Sequence, residues 1–155
     1  MRSQSLIGPL VGDIHSKIEI IESDKTAGYA IEFMKKHGYD QVPVSNKQKT
    51  KNLGSITSVL LVQKFSTSNF LERNVTEVMG DPFRSLDVTE SAWFVLNLLE
   101  TEQCVLTVEK NEIKGMINWS TIIKKANNDE PLATYLSNYF RDKFHIEIRA
   151  PQNQQ

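Results

Sequence analysis

Two stretches of the chain carry the same order of apolar and polar positions. Ala27, Ala30, Ile31 and Met34 fall at i, i+3, i+4 and i+7, the stripe of a helix with one buried face. Ala92, Val95, Leu96 and Leu99 repeat that stripe 65 residues later. The pattern predicts helices over 24–37 and 89–102, with Asp24 and Thr89 as start candidates at the same offset. Gly38 stands where a glycine ends a helix cheaply in the left-handed conformation.

A strand pair follows each helix. Apolar runs predict strands over 41–44 and 53–56, and again over 104–109 and from 114 onward. Val42 and Val44 match Leu106 and Val108 at an offset of 64, and Gly54 matches Gly115 at 61. The offset drops only after the helix and inside the hairpin, where loops tolerate length changes. Each second strand runs straight into a helix. In the first copy that helix covers 57–65, with the Thr57 hydroxyl suited to cap its free N–H groups.

The same comparison predicts short helical turns at 11–15 and 75–79 and strands at 18–21 and 83–86. The chain then divides into a lead-in (1–10), a first repeat (11–65), a polar linker (66–74), a second repeat (75–126) and a C-terminal extension (127–155). In the extension Leu132, Tyr135, Leu136, Tyr139 and Phe140 form a further helical stripe. Residues 145–150 alternate like a short strand, and the tail beyond Pro151 reads as frayed. An extra helix capping the core buries these aromatics without a partner, so we adopt that reading. The alternative is a contact surface for another subunit or domain.

Composition narrows the class. The chain has 155 residues, 39% of them hydrophobic, and a net charge of −1. A half of about 60 residues is marginal alone, so the two copies are expected to pack on each other in one α+β unit. No apolar run approaches the roughly 20 residues of a membrane span, and the balanced charge gives no reason to invoke nucleic acid or an anionic membrane. Cys104 is the single cysteine, which excludes an internal disulfide and suits a reducing, cytoplasmic setting.

The doubled strand–helix–strand–strand–helix unit resembles the tandem CBS-domain module, over about residues 11–126. The motifs that carry the likeness are Val-Gly-Asp-Ile at 11–14, Gly-Tyr-Asp-Gln-Val-Pro-Val at 38–44 and Gly-Ser-Ile-Thr at 54–57. Val-Thr-Glu-Val-Met at 75–79 and Gly-Met-Ile-Asn at 115–118 are their second-copy counterparts. The segment at 39–43 looks most like the C-terminal regulatory region of cystathionine β-synthase. The resemblance implies two β-α-β-β-α units related by a pseudo-twofold and packed sheet to sheet. It also implies clefts between them for S-adenosylmethionine, AMP or ATP as regulatory ligands rather than required cofactors. Pairing into a homodimer and control of a partner protein or domain are implied as well.

The family site places a hydroxyl and an Asp at the start of each last helix, where the carboxylate holds a ribose. Here Thr57 is followed by Leu60 at the Asp position, and Asn118 by Thr121. Neither copy keeps the carboxylate. The resemblance carries over as a site built from Tyr39, Asp40, Gln41 and Val42 with Asn118 and Thr121, and Thr57 as the weaker counterpart. Tyr39 would stack on adenine and Trp119 would add an apolar wall; equally, Tyr39 and Trp119 are packing aromatics and Asp40 caps a turn. The residues between the motif positions are not basic, which leaves only Lys47, Lys49 and Lys51 of the hairpin loop for phosphate. That ranks an adenosyl ligand with little negative charge, or no ligand, above ATP.

His15, His37 and His145 lie on separate elements, and no nucleophile or metal motif is present. The expectation is therefore a non-enzymatic regulatory module that senses an adenosyl ligand, or else a ligand-free dimerisation and interaction scaffold.

Overall fold

The computed structural model describes residues 8–143. The candidate strand at 145–150, His145 and most of the lead-in lie outside them. In order the elements are α1 (Val11–Ile14), β1 (Ile21–Glu22), α2 (Ala27–His37), β2 (Gln41–Ser45), β3 (Asn52–Thr57) and α3 (Ser58–Lys64). A 3-10 turn over Phe70–Glu72 leads to α4 (Val75–Val78), β4 (Arg84–Asp87), α5 (Ala92–Leu98), β5 (Val105–Glu109), β6 (Glu112–Ile117), α6 (Trp119–Ala126) and α7 (Glu130–Lys143). The architecture is α+β, with two three-stranded sheets, β1-β2-β3 and β4-β5-β6. In each sheet the first pair is parallel and the second antiparallel.

Local chemistry explains the element ends. Thr26 caps α2 by accepting from the Tyr29 N–H at 3.1 Å, and Ser91 caps α5 by accepting from Trp93 at 3.2 Å. Both helices thus begin two residues later than Asp24 and Thr89 suggested, and the 65-residue offset survives. Asp87 explains the second case: its carboxylate takes the N–H and O–H of Thr89, which holds Thr89 in the preceding turn. Gly38 ends α2 at φ 67°, and the next N–H, of Tyr39, returns to the Met34 carbonyl at 2.9 Å. The second copy has Gln103 in place of that glycine, and regular helix stops at Leu98 rather than reaching 102. Lys110 and Asn111, at φ 51° and 65°, make the two-residue turn between β5 and β6.

The short helices change sides. Val11 and Ile14 of α1 belong to the core of the second sheet, with Ala92, Val95, Leu96, Val105, Ile117 and Ile122. Val75 and Val78 of α4 belong to the first core, with Ala30, Met34, Val42, Val44 and Ile56. The exchange is reciprocal down to single bonds. The Val11 N–H donates to Glu90 O at 2.7 Å and the Val75 N–H to Lys25 O at 2.8 Å. Ala92 donates to Pro9 O and Ala27 to Arg73 O. Ser16 and Met116 exchange two backbone bonds, and Gly80 and Ser55 do the same. Each pair maps onto the other when the repeats are interchanged, which is the pseudo-twofold.

The crossing also shortens β1. Residues 15–20 run toward the second sheet, where Ile18 packs with Cys104, Leu106, Ile113 and Met116 and against Tyr39, Phe83 and Val108. This cluster joins the sheets, helped by Ile113 N–H to Lys49 O at 2.8 Å and by the Asn52 amide donating to Phe83 O at 2.7 Å. At the C-terminus α7 lays Leu132 and Tyr139 into the second core, with Tyr135, Leu136 and Phe140 packed beside them. The Trp119 and Phe140 rings sit 5.7 Å apart, and Lys143 pairs with Glu100 at 2.6 Å. The extra helix caps the core, as the stripe predicts.

The two matched glycines mark the closest approaches. A Cβ on Gly115 would stand 2.6 Å from the Ser16 carbonyl oxygen and 2.9 Å from the His15 ring. One on Gly54 would meet Met79 and, at 2.8 Å, the Gly80 carbonyl oxygen. Gly115→Ala should therefore destabilise the fold by about 1–3 kcal/mol in chemical denaturation, the usual cost of overpacking. An unchanged midpoint would mean that the crossing strand yields freely.

His15 reports on the same seam. Its Nδ1 is 2.6 Å from the buried Thr107 hydroxyl, and burial, with the charge of Lys125, holds its pKa below the ordinary value against the opposing pull of Asp13 and Glu109. The unfolded chain then takes up the proton first as pH falls. His15 therefore contributes stability that is complete above about pH 6.5 and is lost as pH falls below it. The drop in urea midpoint from about pH 7.5 to about pH 5.5 should be smaller in His15→Gln than in the parent chain. Equal drops would assign the pH dependence to other groups.

Candidate ligand cleft

Three segments from both repeats converge on one cleft of about 370 Å³. The turn after α2 supplies Gly38, Tyr39, Asp40 and Gln41, the start of α6 supplies Asn118, Ser120 and Thr121, and the crossing segment supplies Ser16, Lys17 and Ile18. His37, Met116 and Lys124 complete the lining. Of the sequence candidates, Tyr39, Asp40, Gln41, Asn118 and Thr121 thus share one site. Val42 does not line it; its side chain is wholly buried in the first core. Thr57 does not line it either; its hydroxyl caps α3, accepting from the Leu60 N–H at 3.1 Å.

Each wall has a physical reason for its place. Tyr39 is half-buried, its ring stacked on His37 at 5.1 Å and 17°, and Phe33 closes a three-ring cluster at 4.4 Å from His37 and 6.2 Å from Tyr39. The Tyr39 hydroxyl accepts from the Glu19 N–H at 3.5 Å, which ties the ring to the crossing segment. The carbonyl of Asp40 accepts from Ser58, leaving its exposed carboxylate at the mouth. Asn118 and Thr121 cap α6 reciprocally, with Thr121 N–H to Asn118 Oδ1 at 2.8 Å and Asn118 N–H to Thr121 Oγ1 at 3.0 Å. The Thr121 hydroxyl donates to the Asn118 carbonyl at 2.9 Å, so its proton is already committed. The Asn118 amide nitrogen has no partner among the described residues and is a free donor of this wall.

Trp119 is an anchor rather than a wall. Its indole N–H donates to Leu99 O at 3.2 Å, and the ring packs on the second core. Lys47, Lys49 and Lys51 do not line the cleft. Two other cations do, and sequence reasoning missed both. Lys124 lies one helical turn beyond Thr121, so the spacing 118, 121, 124 carried the signal. Lys17 carried none, because only the exchange of α1 brings its segment across.

Among the described residues no group of three His, Cys, Asp or Glu side chains could hold a metal. Burial, with the nearby Glu102 charge, pushes the Cys104 thiol up to about 12, far from a reactive thiolate. Among the described residues no helix is long and apolar enough to cross a membrane.

No family model matches the sequence, and no curated protein matches it. Solved structures do. A Vibrio cholerae protein assigned to acetoin utilization (AcuB) superposes with a TM-score of 0.71 at 21% identity, over 79% of this chain and 93% of the other. A CBS domain-containing protein of unknown function from Bacillus anthracis gives 0.67 at 19%, over 77% and 94%. The CBS domain of a bacterial CNNM/CorC family Mg2+ transporter, in complex with ATP, gives 0.66 at 19%, over 76% and 86%. The chain has the tandem CBS-domain fold.

The cleft therefore lies between two CBS repeats, where the first repeat's turn faces the last helix of the second. The counterpart of Thr121 in the first CBS repeat is Leu60, which packs beside Gly80 and offers no polar group. Next to the cleft, on the outer face of α2 and α3, lies a larger open hollow of about 670 Å³. Ile31, Met34, Leu61, Val62 and Phe65 make it apolar, and Gly38, Tyr39 and Asp40 form the wall it shares with the cleft.

Replacing Thr121 by Ala removes the hydroxyl arm of the α6 cap and leaves Asn118 Oδ1 accepting from the N–H of residue 121. Stability should fall by about 0.5–2 kcal/mol, the usual loss of a cap, seen as a lower melting temperature without ligand. No change would show that Asn118 alone suffices.

Proposed function

We propose that this CBS pair is a regulatory module that binds an adenine nucleotide in the cleft between its repeats. The observation that carries the reading is the convergence of Tyr39, Asp40 and Gln41 with Asn118 and Thr121, flanked by Lys17 and Lys124. An aromatic ring suits the base, and Gln41, the Asn118 amide and Asp40 suit base edges and ribose hydroxyls. The two ammonium groups suit phosphate at the start of a helix. Those lysines reverse the ranking drawn from the motif alone, in which low charge came first. S-adenosylmethionine, whose sulfonium adds a positive charge, fits two lysines less well than AMP or ATP. The similar transporter CBS domain in complex with ATP supports the same class.

Ligand would act by differential affinity for two arrangements of the repeats or of a homodimer, passing the change to a partner protein or domain. The single, buried Cys104 suits a reducing cytoplasm. The competing reading, a ligand-free scaffold, draws on the missing carboxylates at Leu60 and Thr121.

Thermal shifts with AMP, ATP, adenosine and S-adenosylmethionine decide between them. Ligand at 100 times its dissociation constant stabilises by about 2.7 kcal/mol. AMP or ATP should give the larger shift, and Lys124→Ala should weaken it by about tenfold or more in affinity, the worth of one charge-assisted bond. No shift with any of the four at millimolar concentration would leave the scaffold reading.

A further inference from the structure

The wall at the start of α6 has turned its acceptors on itself. The Thr121 hydroxyl takes the Asn118 N–H at 3.0 Å and gives its own proton to the Asn118 carbonyl at 2.9 Å, while Asn118 Oδ1 takes the Thr121 N–H at 2.8 Å. What the wall still offers is donors: the Asn118 amide N–H groups and the Lys124 ammonium, joined by the Lys17 ammonium from the crossing segment. None of these three groups has a partner among the described residues, and both lysines are exposed. Ser16 and Ser120 add hydroxyls that can turn either way, but neither carries charge. Asp40 is the one carboxylate lining the cleft, and it stands exposed on the facing turn beside Tyr39.

The parts of a nucleotide ask for opposite chemistry. Phosphate oxygens accept, and a bond to them from an ammonium is charge-assisted, roughly twice as strong as a neutral one. A ribose diol has two O–H groups to give and is held firmly only where a fixed, sheltered acceptor waits for both. The α6 wall holds no carboxylate, and its neutral acceptors already serve the cap. At Asp40 water competes for the same hydroxyls, and a hydroxyl that stays hydrated costs little to remove.

We infer that the cleft reads base and phosphate and leaves the sugar unread, a step that rests on the nucleotide proposal above. Its ligands are adenine nucleotides as a class, with deoxy and other ribose-modified forms bound as well as the ribose forms. Thr121 is the residue that sets this breadth, because it fills with a committed hydroxyl the place where a carboxylate would take the diol.

The test is isothermal titration of the full chain with AMP, deoxy-AMP and adenosine, with the melting temperature of each variant as the control for folding. In the parent chain AMP and deoxy-AMP should bind within about twofold of each other, and adenosine about tenfold or more weaker, the worth of one bond to a charged group. Thr121→Asp places a carboxylate on the α6 wall and should set the ratio of the two nucleotides to about tenfold in favour of AMP. The ratio cancels any general loss from the new charge or the altered cap. Should that charge expel phosphate altogether, Thr121→Asn, which adds a neutral carbonyl, should move the ratio the same way by a smaller factor. A parent chain that prefers AMP to deoxy-AMP about tenfold would overturn the inference and leave the nucleotide reading standing. Adenosine bound as tightly as AMP would overturn it too, since phosphate would then go unread. A folded Thr121→Asp or Thr121→Asn chain that binds both nucleotides equally would remove Thr121 as the determinant. A parent chain that binds none of the three sinks the nucleotide reading and this inference together.

Discussion

Two backbone crossings hold this molecule together. At Gly115 and at Gly54 a segment from the opposite end of the pseudo-dyad passes so close that no Cβ fits, and there Ser16 pairs with Met116 and Gly80 with Ser55 through main-chain bonds. Close passage lets each short helix deliver two aliphatic side chains to the core of the other repeat. Neither sheet has a complete core without the helix that precedes the other. Halves too small to be stable alone are joined by shared burial rather than by a flat interface.

The cleft is a by-product of that geometry. Once residues 16–18 are drawn across, they lie beside the turn after α2 and the first turn of α6, and the space between cannot be filled by regular structure. What lines it is what element ends always expose: unpaired helix N–H groups, a capping amide, a turn carboxylate and long cations. Its polar groups are held by caps and sheet registers, and among the described residues none is assembled as a nucleophile with its base.

The periodic signals were readable in the sequence because they are local. The stripes from Ala27 and Ala92, the strand pairs, the Thr57 cap, the Gly38 terminator and the aromatic stripe of α7 all depend on neighbours a few residues away. The matched glycines were visible as a spacing, though not as a contact. What stayed hidden was long-range. Nothing in residues 11–14 says which core they enter, and that choice truncates β1 and sends Lys17 into the cleft. Asp24 and Thr26 are both good capping types, so only the packed helix decides between them. Val42 enters the expected site with the Gly-Tyr-Asp-Gln-Val segment that carries the resemblance, but successive residues of a strand face opposite ways, and Val42 points into the first core.

Gly38, Tyr39 and Asp40 line both the cleft and the apolar hollow on the helical face. Tyr39 is braced on one side by His37 and Phe33 of α2 and on the other by the crossing segment. A displacement of that ring from one chamber would reshape the other. Were both chambers occupied, their occupancies would be thermodynamically linked, and symmetrically so: each occupant would alter the other's affinity by the same factor.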